Sequence, residues 1–216
     1  MITVIVDYGS GNLHSAAKAV ERAGSERGLD ARVLVTGAAH AIRRADRLIL
    51  PGVGAFGACA HALLGSPELV DALAAAVLGR GVPLLGICVG LQLLAESGEE
   101  RGCHQGLGWL PGTVVPVLPD DPALKVPHMG WNNLEMTLTG HQHPVFADLG
   151  AASDFYFVHG YHFACPEIGY VLAHTDYGGA LTAAVGRDNV VGVQFHPEKS
   201  QHAGLTLLGN FLSWSP

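Results

Sequence analysis

The sequence predicts an α/β fold: a mostly parallel open sheet flanked by helices in three layers, with an antiparallel extension in the C-terminal half. Three observations predict it. Short apolar runs alternate with helical patterns through the first hundred residues, as repeated strand–helix units on a parallel sheet require. The second half gives several short strands instead, two of them joined by the turn Arg187-Asp188-Asn189. The 216 residues are 49% hydrophobic and 14% charged, which supplies one large core and excludes a disordered chain. No linker, repeat or low-complexity segment divides the chain, so residues 1–216 are expected to form a single domain.

The elements follow in order. Ile2–Val6 is an apolar strand, and Tyr8-Gly9-Ser10-Gly11 turns the chain into a helix capped by Asn12. Leu13, Ala16, Ala17 and Val20 form the buried stripe of that helix. Ala31–Val35 and Arg47–Leu50 are the next strands. Ser66-Pro67-Glu68 carries a cap, a first-position proline and an early acid, and starts a helix that runs to about Leu78. Pro83–Ile87 is a wholly apolar strand, followed by a helix from Val89 to Glu96. Strands then recur at Thr113–Leu118, Leu134–Thr137, Phe155–His159, Tyr170–His174, Leu181–Gly186 and Val190–Phe195. A last helix, capped by Ser200, buries Leu205, Leu208, Phe211 and Leu212.

Several function classes are excluded at this level. The net charge is −7 and no basic run exceeds Arg43-Arg44, so neither nucleic acid nor an anionic membrane is an expected partner. Met1 to Asp7 lacks a basic start and reads as a strand rather than a signal peptide. The uncharged stretch Gly81–Ala95 is interrupted by Pro83, Gly86 and Gly90, which argues against a transmembrane helix. Cys59, Cys88, Cys103 and Cys165 form no C-x-x-C and no disulfide framework, so reduced thiols in a cytoplasmic protein are expected. His141-Gln142-His143 has no acidic or cysteine partner nearby, and no metal site is expected.

Chemistry enters at Gly86-Ile87-Cys88-Val89-Gly90. This is G-x-C-x-G between an apolar strand and a helix, the thiol counterpart of a nucleophile elbow. Such a turn is sharp and strained, and side chains two residues either side of the nucleophile would collide there. An unperturbed thiol is only about 3% ionised at pH 7, so the adjoining helix N-terminus matters. The bland alternative is a buried core cysteine between packing glycines. His196-Pro197-Glu198 ends a strand, and in extended chain residues i and i+2 share a face. A carboxylate beside an imidazole fixes its tautomer and stabilises its cation, although a strand-end turn with a solvated Glu would read the same. Pro51-Gly52-Val53-Gly54-Ala55-Phe56-Gly57 contains G-x-G-x-x-G, but it follows the third strand, and Asp71 is misplaced inside a helix for a ribose acid. A backbone presenting N–H groups to an oxyanion is the better use of Gly52 and Gly54.

These motifs, extended to Gly86–Leu94 and Phe195–Ser200, resemble class I, triad-type glutamine amidotransferases. Asp7–Asn12, Pro51–Phe56, His128-Met129-Gly130-Trp131-Asn132 and Phe155–His159 are similar to the glutaminase subunits of imidazole glycerol phosphate synthase, in order along nearly the whole chain. Val89 and Leu91 replace the more familiar Leu and Met at the elbow, and Gly160 stands where Ser or Thr often follows the histidine.

The resemblance implies a flavodoxin-like fold, no cofactor, and glutamine hydrolysis by Cys88, His196 and Glu198. It implies oxyanion donors at Val53 and Val89. Glutamine would be held by Gly52, Gly54, Gln92 and the backbone of His159, Gly160 and Tyr161. It also implies a (β/α)₈ barrel cyclase as partner in histidine biosynthesis, receiving ammonia across an interface at Asn12, Trp131, Tyr156 and Lys199; ordinary core packing would equally account for Trp131 and Tyr156. A restrained Gly52-Val53 loop would keep the lone chain inactive. A glutaminase of another pathway, a cysteine hydrolase or redox chaperone on a similar sheet, and a non-catalytic regulatory module are the competing readings.

Overall fold

The computed structural model describes residues 1–150 and 153–216. Its first half lays down β1 (Ile2–Val6), α1 (Leu13–Glu26), β2 (Arg32–Thr36), α2 (Ala39–Arg43), β3 (Arg47–Gly52), α3 (Phe56–Leu64), α4 (Pro67–Ala74), β4 (Leu84–Cys88) and the short α5 (Val89–Gln92). The second half gives β5 (Ser97–Gly98), β6 (His104–Gln105), β7 (Thr113–Pro116), β8 (His128–Asn133), β9 (Glu135–Met136), α6 (Leu138–Gln142) and β10 (Asp154–His159). It closes with β11 (Tyr161–Ala164), β12 (Val171–Asp176), β13 (Ala180–Arg187), β14 (Val190–Val193) and α7 (Gln201–Ser213).

The main sheet runs β2-β1-β3-β4-β14-β13-β12-β9. Pairing is parallel from β2 through β14 and antiparallel beyond it, as the sequence predicts. The central strands are apolar along their whole length because both faces are covered. Helix α1 buries Ala16, Val20 and Ala23 and packs on α7, which buries Leu207, Leu208, Phe211 and Leu212. Two small sheets, β10-β8 and β11-β7-β5-β6, lie beside the main one.

Several local expectations differ from the structure. The helix after Cys88 is regular only over Val89–Gln92. Loop residues Leu107, Gly108 and Trp109 donate to the carbonyls of Leu93, Ala95 and Leu94, taking the acceptors that a continuing helix would use. Asn12 and Ser200 occupy N-cap positions, but neither side chain makes a capping bond. Helix α3 falls in a stretch to which the sequence reading assigns no element, although Phe56, Cys59, Ala60 and Leu63 keep helical spacing and are buried. Its first N–H is met by Glu100 Oε2 at 2.7 Å, a partner 44 residues away. Strand β8 is absent from the sequence-based expectation because its residues lack the usual alternation of apolar and polar side chains.

Candidate active site

Strands β3, β4 and β14 end at one rim of the sheet. Gly52 lies opposite Cys88, and Val193 lies opposite Ile87, so the chain from Gln194 to Glu198 runs past Cys88. Open α/β sheets bind ligands at this edge. Cys88 has φ +55°, a left-handed backbone unusual for a side-chain-bearing residue, at a cost of about 1–3 kcal/mol. The flanking glycines make the turn possible. A Cβ on Gly90 would lie 1.7 Å from the Leu50 carbonyl oxygen, and one on Gly86 would meet the Gly90 carbonyl oxygen at 2.8 Å.

His196 and Glu198 join Cys88 from the far end of the chain. His196 Nδ1 lies 2.8 Å from Glu198 Oε1, and both side chains are 2% exposed. The backbone N–H of His196 donates to Tyr156 O at 2.9 Å. Ser200 Oγ donates to the His196 carbonyl at 2.7 Å and accepts the Tyr156 N–H at 2.9 Å, so the residue read as a helix cap instead ties the His196 turn to β10. Burial alone would lower the imidazole pKa, but the adjacent Cys88 sulfur and Glu198 carboxylate outweigh it and push it up to about 9. His196 Nε2 makes no well-aligned hydrogen bond and stays available beside the sulfur. The arrangement suits a thiolate–imidazolium pair oriented by a carboxylate.

The two expected oxyanion donors are placed differently. Val89 opens α5, so its N–H has no partner within that helix. The Val53 N–H instead donates to Ser10 Oγ at 3.2 Å, while the Ser10 hydroxyl donates to Val53 O at 2.9 Å and Cys59 Sγ lies 3.2 Å from the same carbonyl. Val53 and Gly54 line the cleft, but the Val53 N–H is turned away from it. Gly52 is buried against Tyr8, Val89 and Gly90 and does not line the cleft.

The cleft has a volume of about 440 Å³ and is walled by Gln92, His159, Gly160 and Tyr161 opposite Cys88 and His196. Gln92 Nε2 donates to Tyr161 O at 3.1 Å and to Gln194 Oε1 at 3.0 Å. Both amide hydrogens are thereby used, leaving Oε1 as the remaining polar atom of that side chain. Tyr161 O also accepts from His159 Nδ1 at 3.0 Å, so this carbonyl is engaged in holding the wall. That bond fixes the tautomers behind it. His159 Nε2 must accept from His128 Nδ1 at 3.0 Å, and His128 Nε2 then faces Asn132 Nδ2 at 3.4 Å. Burial pushes His159 down to about 3 and His128 to about 4, so both imidazoles are neutral.

Trp131 and Tyr156 are cross-strand partners on β8 and β10, with ring centroids 5.9 Å apart, and Lys199 Nζ sits 5.5 Å from the Tyr156 ring. Trp131 is 49% exposed, which rules out plain core packing for it. Asn12 lies apart from this patch, at the start of α1, in a crevice shared with Pro51, His196 and Glu198. Sequence reasoning missed Ser10, Glu100 and Gln194 at the site. Gln194 alone had a usable signal, its two-residue spacing from His196, although β14 ends at Val193 and the chain bends at Gln194 and Phe195.

Comparison with known proteins agrees with this geometry. The glutamine amidotransferase class-I family profile matches residues 4–213. Imidazole glycerol phosphate synthase subunit HisH of Rhodospirillum rubrum is 52% identical over 216 residues, covering all of both chains. The protein of the same name from Ruegeria pomeroyi is 53% identical, again over the full length of both. Among solved structures, the crystal structure of a glutamine amidotransferase superposes with TM-score 0.66 at 20% identity, covering 95% of each chain. Another glutamine amidotransferase, from Thermotoga maritima, gives TM-score 0.56 at 18% identity, covering 91% of this chain and 75% of that one. These two speak for the fold alone. With a profile match over almost its entire length and full-length relatives at about half identity, the chain belongs to the class I glutamine amidotransferases and, within them, to the HisH family.

Proposed function

We propose that the chain is a glutaminase that hydrolyses L-glutamine to glutamate and ammonia and delivers the ammonia to a cyclase partner in histidine biosynthesis. The single observation that carries this reading is the convergence of Cys88, His196 and Glu198 at one cleft, in a chain whose relatives are subunits of imidazole glycerol phosphate synthase.

The Cys88 thiolate attacks the carboxamide carbon of glutamine and forms the C–S bond, sending the carbonyl electron pair onto oxygen. The Val89 N–H meets that oxyanion. The Val53 N–H becomes the second donor once its peptide turns away from Ser10, and one such donor is worth about 2.7–4 kcal/mol of barrier. The His196 imidazolium gives its proton to the nitrogen as the C–N bond breaks, and ammonia leaves with a γ-glutamyl thioester remaining on Cys88. The now neutral His196 takes a proton from water. The resulting hydroxide attacks the thioester, glutamate departs, and the thiolate–imidazolium pair is restored. Glu198 holds His196 in the tautomer that aims Nε2 at the sulfur. Gln92 Oε1 and the backbone at 159–161 position the substrate.

Ammonia released into water would be lost, which favours a docked acceptor. The exposed Trp131–Tyr156–Lys199 patch beside the cleft, with Asn12 across the rim, is our candidate face for a (β/α)₈ barrel cyclase. Residues 1–216 would act as one cytoplasmic domain requiring no cofactor; no single helix among the described residues is long and apolar enough to cross a membrane. The test is glutamate and ammonia release from glutamine, with and without the cyclase. Cys88→Ala should abolish hydrolysis while leaving docking intact. Residual hydrolysis above about a tenth of the parent rate in a folded variant would contradict covalent catalysis by this thiol.

A further inference from the structure

Gln194 is fully buried, with 0% exposure, directly after β14. Because Val193 pairs with Ile87, Gln194 falls beside Cys88, and its backbone N–H is anchored on Ala183 O at 2.8 Å. Its side-chain Nε2 lies 3.8 Å from Cys88 Sγ, within hydrogen-bonding range for sulfur, and its Oε1 lies 3.0 Å from Gln92 Nε2.

The orientation of this carboxamide follows from chemistry. Tyr161 O is a backbone carbonyl and only accepts, so the Gln92 atom 3.1 Å from it must be the nitrogen. The same nitrogen has a second hydrogen, and the Gln194 atom facing it must therefore be the oxygen. Gln194 then has only its NH₂ group to present to the sulfur. Flipping it would set two NH₂ groups against each other in a buried site and aim a carbonyl oxygen at a sulfur that must become anionic. The chain Tyr161 O, Gln92, Gln194, Cys88 runs in one direction, and it ends on an N–H aimed at the nucleophile.

From this we infer that Gln194 is a further catalytic residue, donating an N–H to Cys88 Sγ to favour the thiolate, with Gln92 and the Tyr161 carbonyl fixing its direction. The inference rests on Cys88 being the nucleophile. It gives Gln92 a second role, because the side chain that faces the substrate cleft also sets the polarity of the donor on the sulfur. His196 approaches the same sulfur from two residues along the chain, so one short segment supplies both the proton carrier and a fixed dipole.

The test measures thiol reactivity in the full chain and uses no glutamine, so its failure is separable from failure of the glutaminase reading. Cys88 alkylation by iodoacetamide is followed across pH by peptide mass spectrometry, with the exposed Cys103 in the same sample as reference. Gln194→Met removes the donor and keeps the length. The expected result is a fall of about tenfold in the Cys88-to-Cys103 rate ratio at pH 7 and a rise of about one unit in the pH of half-maximal reaction. A ratio and a pH profile that superimpose on the parent's overturn the assignment. Should Gln194→Met fail to fold, the parent chain still decides the matter by ¹⁵N NMR. The Gln194 Nε2H₂ resonances should shift with pH as Cys88 ionises and lose that shift in Cys88→Ala, whereas resonances indifferent to pH in the parent overturn the inference.

Discussion

His159 gives the structure a calculable acid sensitivity. The residue is 5% exposed, its ring donates to Tyr161 O and accepts from His128, and burial holds its pKa at about 3. An unfolded histidine titrates near 6.5. The folded-state value is depressed, so this contribution to stability is complete above pH 6.5 and is lost as pH falls through 6.5 toward the folded value. At pH 5 the unfolded chain has gained the proton and the folded chain has not. The loss is therefore set by about 1.5 pH units at 1.36 kcal/mol each, or about 2 kcal/mol. This figure is insensitive to the folded value as long as that value lies below about 4. His128, His143 and His162, all lowered by burial, act in the same direction. His196 acts oppositely, because its pKa is raised to about 9; its contribution is complete below 6.5 and lost as pH rises through 9. A subtraction isolates His159. The carboxamide in His159→Gln supplies both a donor and an acceptor and does not titrate. Urea unfolding of parent and variant at pH 8 and pH 5 should show the variant losing about 2 kcal/mol less between the two. Equal losses, or an NMR titration of His159 near 6.5, would refute the reasoning.

Two further outcomes follow from the site. Glu198→Gln removes a charge that holds the His196 cation, so glutamine hydrolysis should fall about 10²- to 10⁴-fold and the His196 pKa should drop from about 9; steady-state glutamate release and imidazole NMR report both, and unchanged pH profiles would sink the assignment. Ser10→Ala deletes the hydroxyl that engages both the N–H and the carbonyl of Val53, so the peptide should turn more readily and the glutaminase rate of the lone chain should rise about five- to tenfold; a rate equal to or below the parent's counts against a restraining role for Ser10.

Legibility in the sequence followed locality. The parallel core could be read because β4 and β14 are wholly apolar and β1 and β3 are broken only by Thr3 and Arg47, and the elbow because strand, glycines and cysteine are contiguous. Glu198 could be paired with His196 from their two-residue spacing, although the structure makes that pairing through a 3₁₀ turn at Pro197–Lys199 and not through extended chain. What stayed hidden depends on partners distant in sequence. The loop at 107–109 truncates α5, Glu100 caps α3, Ser200 bonds β10, and Ser10 holds Val53 across 43 residues. Strand β8 is hard to read because its buried ring, His128, is polar and stacks between Phe157 and Tyr177 at 4.8 and 4.1 Å. Helix α3 carries a legible apolar spacing, but its first turn overlaps the glycine-rich run Gly52–Gly57, which masks where it begins.

Everything catalytic here turns on an acyl group residing for a time on one particular sulfur. Rapid-quench mass spectrometry of the chain mixed with glutamine, in the presence of the cyclase, observes that species directly. The expected result is a γ-glutamyl adduct on the Cys88 peptide that forms and decays with glutamate release, and that does not form rapidly in His196→Asn. Glutamate appearing without acylated Cys88, or an adduct on Cys59, Cys103 or Cys165, would contradict it.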